Sequence, residues 1–492
     1  MTAPDILIIG SGMGGATLAA ALAPSGRRIL ILERGDHLRP SPADRDDRAI
    51  FQRGHFRPAE TWLDGQGRPF NPGNYYNVGG NSKFYGAVLL RYRREDFAPL
   101  RHLEGTSPAW PLTYEALEPF YQRAEEMYQV RGQLGEDPTE PPHSGDYPFG
   151  PVPDEPTIAD LRRRLAGVGL HPAPLPLGVD LDQWLQGGQT TWDAYPNTGA
   201  GKLDAESVGI AQALAHPNVT LRTNCPVTRL TADAFGRITG AEIDGGREVL
   251  SAPLVVLAAG AVQTAVLLLR SGQANSSDQV GRNFMNHNTS AVLALHPFRR
   301  NASVYQKTLM INDFYLTGGP GGTPLGNIQL LGKITGPILA ANSALPRTLA
   351  GLIAERSIDL LAMSEDLPDP DSRIRLQGGK IVMDWRQKNW AAHLELVARL
   401  KHLLRRAGYP IVLSKPFDSR TPSHQCGTAR MGADAASSVV DRFCRSHDHP
   451  NLFITDASVL PTSAAVNPAL TVAALALRTA AHLQDTAFAG QG

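Results

Sequence analysis

Apolar positions in this chain gather into short continuous runs, several of them followed by longer segments of small residues. Ile6–Ile9 is the first, four apolar residues closed by Gly10. A run with no polar alternation predicts a strand buried on both faces of a parallel sheet. Small residues over 16–23 continue at helical density, and 28–32 is a second apolar run that stops at Glu33. The pattern returns twice. Residues 254–258 pass through Ala259, Gly260 and Ala261 into a predicted helix; 452–455 end at Asp456, ahead of a helix predicted over 468–483 with Pro468 in its first turn. The stretch NVTLRTNCPVTRLTAD (218–233) alternates as a strand with Val227 in its middle. SAVLALHPF (290–298), LGNIQLLGK (325–333) and GKIVMDW (379–385) predict further strands, while 346–362 and 390–408 predict helices. Two punctuated stretches predict loops: 135–156, and GGPGGTPLG (318–326), a surface loop or lid.

The opening run carries chemistry. Gly10, Gly12 and Gly15 form G-x-G-x-x-G between a strand and a helix, and Glu33 follows at the spacing of about 20 residues expected of a dinucleotide fold. Gly10 makes the turn, Gly12 admits a pyrophosphate against the backbone, and Gly15 lets helix and strand pack closely. The helix N-terminus offers unpaired N–H groups to the phosphates. Glu33 is placed to accept from ribose hydroxyls and would repel a 2′-phosphate, which argues against NADP. These residues imply a dinucleotide with an ADP half and leave FAD and NAD both open.

A length of 492 residues predicts two domains or one elaborated domain. The 42% hydrophobic content is that of a globular protein, and 47 basic residues balance 47 acidic ones. That balance gives no electrostatic reason to expect nucleic acid or an anionic membrane as a partner. No apolar run approaches a membrane span of about 20 residues. The first strand begins too early for a signal peptide, and Cys225, Cys426 and Cys444 form no disulfide framework. A cytoplasmic location is the expectation.

Taken with "VGGNSKFYGAVLLRYR" (78–93), "LAAGAVQTAVLLLRSG" (257–272), "VGRNFMNH" (280–287) and "SHQCGTARMG" (423–432) near the closing "NLFITDASVLPTSAAVNPALT" (451–471), the sequence resembles the glucose–methanol–choline (GMC) family of FAD-dependent oxidoreductases over nearly its whole length. The third motif departs from the family's usual form at Ala265 and at Gln273-Ala274. The resemblance implies an α/β, Rossmann-like FAD-binding domain assembled from residues 1–95, 190–283 and 421–492. It also implies an α+β substrate domain with an antiparallel sheet from 96–189 and 284–420. It assigns FAD as the dinucleotide, with contacts at Gly10, Gly12, Gly15, Glu33, Gly79, Gly80, Asn81, Ser82, Val227 (through its backbone), Ala259, Asp456, Asn467 and Pro468. By the same resemblance the N-terminus of the final helix faces the flavin's pyrimidine carbonyl. Some family members tether FAD through a histidine after the double glycine. Phe84 stands at that position, so non-covalent FAD is expected.

Oxidation of an alcohol to a carbonyl by hydride transfer to flavin N5 requires a base for the hydroxyl proton, and a neutral histidine suits that task. In similar enzymes a histidine and a His or Asn meet at the substrate hydroxyl. The matching residues are His424, as base, and Asn467, 43 residues further on, as the donor that orients the hydroxyl and stabilises developing alkoxide. Against these stand plainer readings: a structural histidine beside Gly427, and a helix cap ahead of Pro468. His287 is expected to pack near the cofactor. "CRSHDHP" (444–450), with Cys444, His447 and His449, matches no ordinary zinc spacing, so no metal is expected. The acidic run 365–373 is expected to be a charged turn before a strand. Tyr305, Gln329 and Lys333 are polar candidates on substrate-domain strands, with their faces left open. The resemblance is to the sugar- and glycoside-oxidising, pyranose oxidase-like branch, which favours a secondary hydroxyl of a sugar or glycoside. The alternatives are a dehydrogenase of choline or an aryl alcohol and a non-redox flavin-containing lyase. Oxygen or a quinone is expected as the electron acceptor.

Overall fold

In the computed structural model, residues 3–186, 193–199, 201–418 and 424–486 are described. The expected domain limits at 190 and 421, the far end of the last segment, and Ser423 lie outside the described residues.

The apolar runs assemble into one five-stranded parallel sheet. Its order is Val219–Arg222, Ile29–Leu32, Ile6–Ile9, Leu254–Leu257 and Leu452–Ile454. Ile6 pairs with Ile29 on one side and Leu254 on the other, and all four residues of the central strand are buried. Strands covered on both faces explain why the runs carry no polar alternation. Helix Met13–Leu22 lies against helix Ala469–Thr486, which also packs on helix Tyr114–Met127, so the first and last helices share one interface. Two glycines let helix Met13–Leu22 lie close against the end of the last strand and the glycine turn. A Cβ on Gly14 would sit 1.4 Å from the Thr455 carbonyl oxygen, and one on Gly15 would sit 2.1 Å from that of Gly10.

The stretch 218–233 is not one strand. Val219–Arg222 joins the parallel sheet, whereas Val227–Ala232 belongs to a three-stranded sheet with Ile238–Ile243 and Glu248–Leu250. Between them Asn224 takes a positive φ of 53° and Pro226 follows, so the chain turns although its alternation continues. Val227 therefore opens a strand; it does not sit in the middle of one.

A second large sheet is antiparallel and six-stranded. Its order is Ile411–Pro416, Asn288–Leu295, Ser357–Ser364, Asn327–Leu330, Leu309–Ile311 and Pro172–Pro174. Helices Pro156–Gly167 and Trp390–Arg406 contribute Leu161, Leu165, Leu396 and Leu400 to a core shared with this sheet. Two expectations are corrected here. The helix predicted over 346–362 ends at Ala354, and Ser357–Ser364 is a strand near the middle of the sheet with all eight residues buried. Its single charge, Asp359, is satisfied by Ser357 Oγ, Gln306 Nε2 and the Ile334 N–H. The strand in 379–385 lies elsewhere. Lys380–Asp384 pairs with Arg373–Gln377 and, in parallel, with Trp62–Asp64, in a separate four-stranded sheet that ties residues 62–70 to 373–384.

The stretch 318–326 is a closed turn, with the Gly319 N–H donating to the Thr323 carbonyl and Gly318 bridged to Pro324. Among the described residues, no helix is long and apolar enough to cross a membrane.

Candidate active site

The C-terminal ends of Ile6–Ile9, Leu254–Leu257 and Leu452–Ile454 lead into the glycine turn, the Ala259-Gly260 turn and Asp456, all at one edge of the parallel sheet. This is the edge where open α/β sheets bind nucleotides. Gly10, at φ +107°, would carry a Cβ only 2.3 Å from the Ala258 carbonyl oxygen and 3.0 Å from the Ala259 nitrogen. Gly12 is different: a Cβ there would meet nothing within 4 Å. It caps helix Met13–Leu22 without any side-chain hydrogen bond, so the first-turn N–H groups face an open cradle. An uncapped helix end beside open space fits the pyrophosphate of a dinucleotide.

The cradle is stitched together by Ser11 and Glu33. Ser11 Oγ donates to Glu33 Oε2 at 2.6 Å and accepts from the Gly79 N–H at 3.1 Å; Glu33 Oε1 accepts from the Gly35 N–H at 2.9 Å. A Cβ on Gly80 would lie 3.5 Å from the Gly12 Cα, so the double glycine closes over the first glycine turn. In the 3₁₀ turn Gly80–Lys83, Asn81 Oδ1 accepts from the Tyr75 N–H, while Ser82 Oγ donates to the Gly79 carbonyl and accepts from the Ala205 N–H. Asp456 Oδ2 accepts from the Gly260 N–H at 2.9 Å and from Thr264 Oγ1 at 2.5 Å, tying the strand end to the neighbouring helix. Phe84 is buried and stacked on Tyr75, with ring centroids 3.7 Å apart.

His424 and Asn467 come together from separate segments. Asn467 Nδ2 lies 3.2 Å from His424 Nε2, on the residue two before helix Ala469–Thr486. Two more side chains complete the group. His287 Nδ1 lies 2.8 Å from His424 Nδ1, and Gln329 Nε2 donates to Asn467 Oδ1 at 3.1 Å. His287 Nε2 in turn lies 2.8 Å from the Ser463 carbonyl oxygen. That carbonyl is also fixed by Tyr92 Oη, in a buried loop where Ala464 adopts a left-handed φ of 51°. A non-glycine residue there is strained backbone held by its surroundings. Burial lowers the His287 pKa to about 4. Burial, with His287 and Lys307 nearby, holds His424 well below the usual histidine value. Both imidazoles are therefore neutral near pH 7, as a proton acceptor must be.

The other polar candidates have structural partners. Lys333 Nζ donates to the Ser357 carbonyl at 3.0 Å and pairs with Asp359, and Tyr305 packs edge-on against Trp184. His449 accepts from the Ala274 N–H through Nε2 and contacts the Gly236 carbonyl through Nδ1, while His447 meets Ser438 Oγ. In the acidic run, Glu365 is paired with Ser107 and His102 and Asp366 with Trp385, and the strand Arg373–Gln377 follows as expected. Sequence reasoning passed over Ser11 and gave His287 only a packing role. Ser11 occupies a free position of the glycine motif. The contact of His287 with His424 spans 137 residues and leaves no local pattern.

The chain has relatives of known chemistry. Residues 368–476 and 182–289 match family models described as GMC oxidoreductase, and residues 8–55 match an NAD(P)-binding Rossmann-like domain. The chain is similar to 6'''-hydroxyparomomycin C oxidase of Streptomyces lividus, at 30% identity over 97% of this chain and 92% of that protein. It is similar also to paromamine 6'-oxidase of Streptomyces fradiae, at 29% identity over 97% and 90% of the two chains. Its fold is shared with the crystal structure of pyridoxine 4-oxidase from Mesorbium loti, with a TM-score of 0.70 at 20% identity over 98% of this chain and 99% of that one. A Rossmann-like sheet, a dinucleotide cradle and these full-length relatives define an FAD-dependent oxidoreductase acting on CH–OH groups. The chain belongs to the GMC oxidoreductase family.

Proposed function

We propose that this protein oxidises a hydroxyl of a sugar or glycoside to a carbonyl, with FAD bound non-covalently by residues of the 1–95, 190–283 and 421–492 segments. The observation that carries the chemistry is the approach of His424 Nε2 to Asn467 Nδ2, 3.2 Å apart, between two neutral side chains. The cradle of Gly10, Gly12, Gly15, Gly79 and Gly80, with Glu33 on its floor, is suited to the ADP half. Asn81, Ser82, Val227, Ala259, Asp456 and Pro468 are assigned to the rest of the cofactor. Bound FAD supplies the acceptor for the substrate's hydride.

The protein's own residues do the proton work. His424 accepts the hydroxyl proton at Nε2, so the C–H bond gives up its hydride while the oxygen on the same carbon is losing its proton. Asn467 donates from Nδ2 to the same oxygen, which orients it and stabilises the charge that builds there. In the absence of substrate the two groups satisfy each other, and a substrate hydroxyl inserts between a lone pair and an N–H that already face one another.

The sugar class is supported by two full-length relatives named for oxidation of aminoglycosides. Both names give a 6-type position, so the test must present primary as well as secondary hydroxyls. Sugars, methyl glycosides, their 6-deoxy counterparts, choline and aryl alcohols are mixed anaerobically with the FAD-loaded protein while flavin absorbance is followed. Bleaching by carbohydrates is the expected result, and retention of it with 6-deoxy sugars assigns a secondary hydroxyl. Bleaching by choline or aryl alcohols alone overturns the substrate class. Reoxidation by air or by a quinone then identifies the acceptor.

A further inference from the structure

Four hydrogen bonds run in series from Gln329 to Ser463, and the last of them ends on a group that can only accept. The Ser463 carbonyl oxygen faces His287 Nε2 at 2.8 Å, so His287 must carry its proton on Nε2. His287 is buried and neutral, which leaves a lone pair on Nδ1. His424 Nδ1, 2.8 Å away, must then be the donor. Because His424 is also neutral, its lone pair is on Nε2, the nitrogen facing Asn467 Nδ2 at 3.2 Å. The amide of Asn467 is oriented from the other side. Gln329 Nε2 donates to its Oδ1 at 3.1 Å, which turns the Asn467 N–H groups toward His424. Every bond is donor to acceptor in one direction, and reversing any one of them sets two donors or two lone pairs against each other.

We infer that His287 and Gln329 are positioning residues for this reaction, holding His424 as the Nδ1–H tautomer with its base on Nε2 and holding the Asn467 amide with N–H toward the reacting oxygen. This rests on the proposed roles of His424 and Asn467. Gln329 itself supports it. The side chain lies on strand Asn327–Leu330 between Met310 and Leu361, is fully buried, and leaves its Oε1 without a hydrogen-bond partner. A buried amide with one half unpaired costs stability compared with an apolar residue of similar size. Its paired half meets Asn467, at the reaction centre. Serial donation also polarises the chain, so that each N–H given toward Ser463 leaves its own group a better acceptor on the other side.

Gln329→Glu tests the direction of the chain. At pH 8 a carboxylate cannot donate to Asn467 Oδ1; the amide turns its N–H to Glu and presents Oδ1 to the His424 lone pair. Anaerobic flavin reduction by a reactive sugar is expected to slow about tenfold or more relative to the parent enzyme. As pH falls the carboxyl takes a proton and becomes a donor again, so the ratio of variant to parent rate rises toward one. Among the described residues, the charged or titratable groups around the chain are His424, His287, Lys307 with its partner Asp193, Glu365, Tyr92 on the Ser463 carbonyl and Asp366 beside Ser463, and all are present in both proteins. A ratio that stays flat with pH, or a variant as fast as its parent at pH 8, overturns the inference.

A second measurement needs no substrate and no variant of Gln329. In FAD-loaded protein labelled with ¹⁵N-histidine, the His424 signals are identified by their loss in His424→Gln. A protonated Nδ1 and a bare Nε2 are expected near pH 8; a protonated Nε2 overturns the inference. An enzyme reduced by no alcohol would sink the proposed function, while the nitrogen spectrum still decides the tautomer.

Discussion

Phe84 lies flat on Tyr75, with the two rings 12° from parallel and their centroids 3.7 Å apart. Phe56 also packs on Phe84, tilted, with centroids 5.7 Å apart. Phe84, whose side chain carries no nucleophile, thus stands at the position from which some family members tether their flavin. Acid precipitation of the yellow protein should leave FAD in the supernatant. Flavin retained in the washed pellet would show a covalent bond.

Two glycine substitutions, two residues apart, should separate folding from cofactor binding. Gly14→Ala would drive a methyl group to 1.4 Å from the Thr455 carbonyl oxygen, and no backbone adjustment absorbs that inside a packed sheet. It should yield no soluble folded protein. Gly12→Ala meets nothing within 4 Å, and Gly12 has a φ of −71° that alanine adopts freely. Its apo form should melt close to the parent, while FAD affinity drops because the methyl group occupies the cradle. Parallel thermal melts and flavin titrations decide both.

Glu33 carries two tasks, and Glu33→Ala should affect both. In the proposed cofactor site Glu33 accepts from the ribose, and losing that acceptor should weaken FAD binding. Losing the carboxylate also strands the half-buried Gly35 N–H and the buried Ser11 hydroxyl, at a cost of about 1–3 kcal/mol for the buried group and less for the other. The apo variant should be measurably less stable to urea, and excess FAD should restore activity to the fraction that stays folded. Unchanged apo stability would mean that these contacts contribute nothing.

His424→Ala should slow anaerobic flavin reduction by about two to four orders of magnitude. Asn467→Ala should slow it by less, with an upper end of about 2.7–4 kcal/mol for one donor to a developing oxyanion. The double variant should lose less than the product of the two, since both groups are proposed to act on one oxygen. Bound-flavin spectra should stay near the parent's. Rapid reduction in His424→Ala with flavin bound would send the search to another base.

The pH profile follows from the depressed histidines. His424 is held below 6.5, so its neutral form survives as pH falls through 6.5; flavin reduction should be level from pH 8 to 6.5 and decline only below that. Stability has the same sign. Unfolded His287 takes a proton near 6.5 but the folded residue only at about 4, so the unfolded state binds more protons in that window and stability drops as pH falls through it. The advantage of the parent over His287→Asn should shrink by about 2 kcal/mol between pH 7 and pH 5. Denaturant titrations at the two pH values measure it, and a constant difference would contradict the depressed value.

Most of the parallel sheet was legible because four of its five strands announce themselves as apolar runs with a glycine or acid at or near their ends, while Val219–Arg222 alternates instead. Ser357–Ser364 was misread for a related reason. A strand buried along its whole length shows no period-two pattern, and with helix Arg347–Ala354 just ahead its apolar residues continue the helical count. The placement of Lys380–Asp384 was hidden because one of its partners, Trp62–Asp64, lies more than 300 residues earlier. At the site, motif residues such as His424 and Asn467 could be picked out by likeness. Gln329 was one polar residue among three on candidate strands, and only the register of the sheet selects it over Tyr305 and Lys333.

The shared interface of the first and last helices has a consequence for synthesis. The central strand and its glycine turn leave the ribosome before the strands that flank them, and the neighbour Leu452–Ile454 emerges roughly 200 residues after Leu254–Leu257. At about 5–20 residues per second, that is a delay of about 10–40 s during which the sheet edge at Leu254–Leu257 has no partner strand. Helix Met13–Leu22 waits longer still for its cover. The nascent chain thus carries an unfinished, sticky sheet edge while roughly 200 residues are made, and the elements that close it are made only after them.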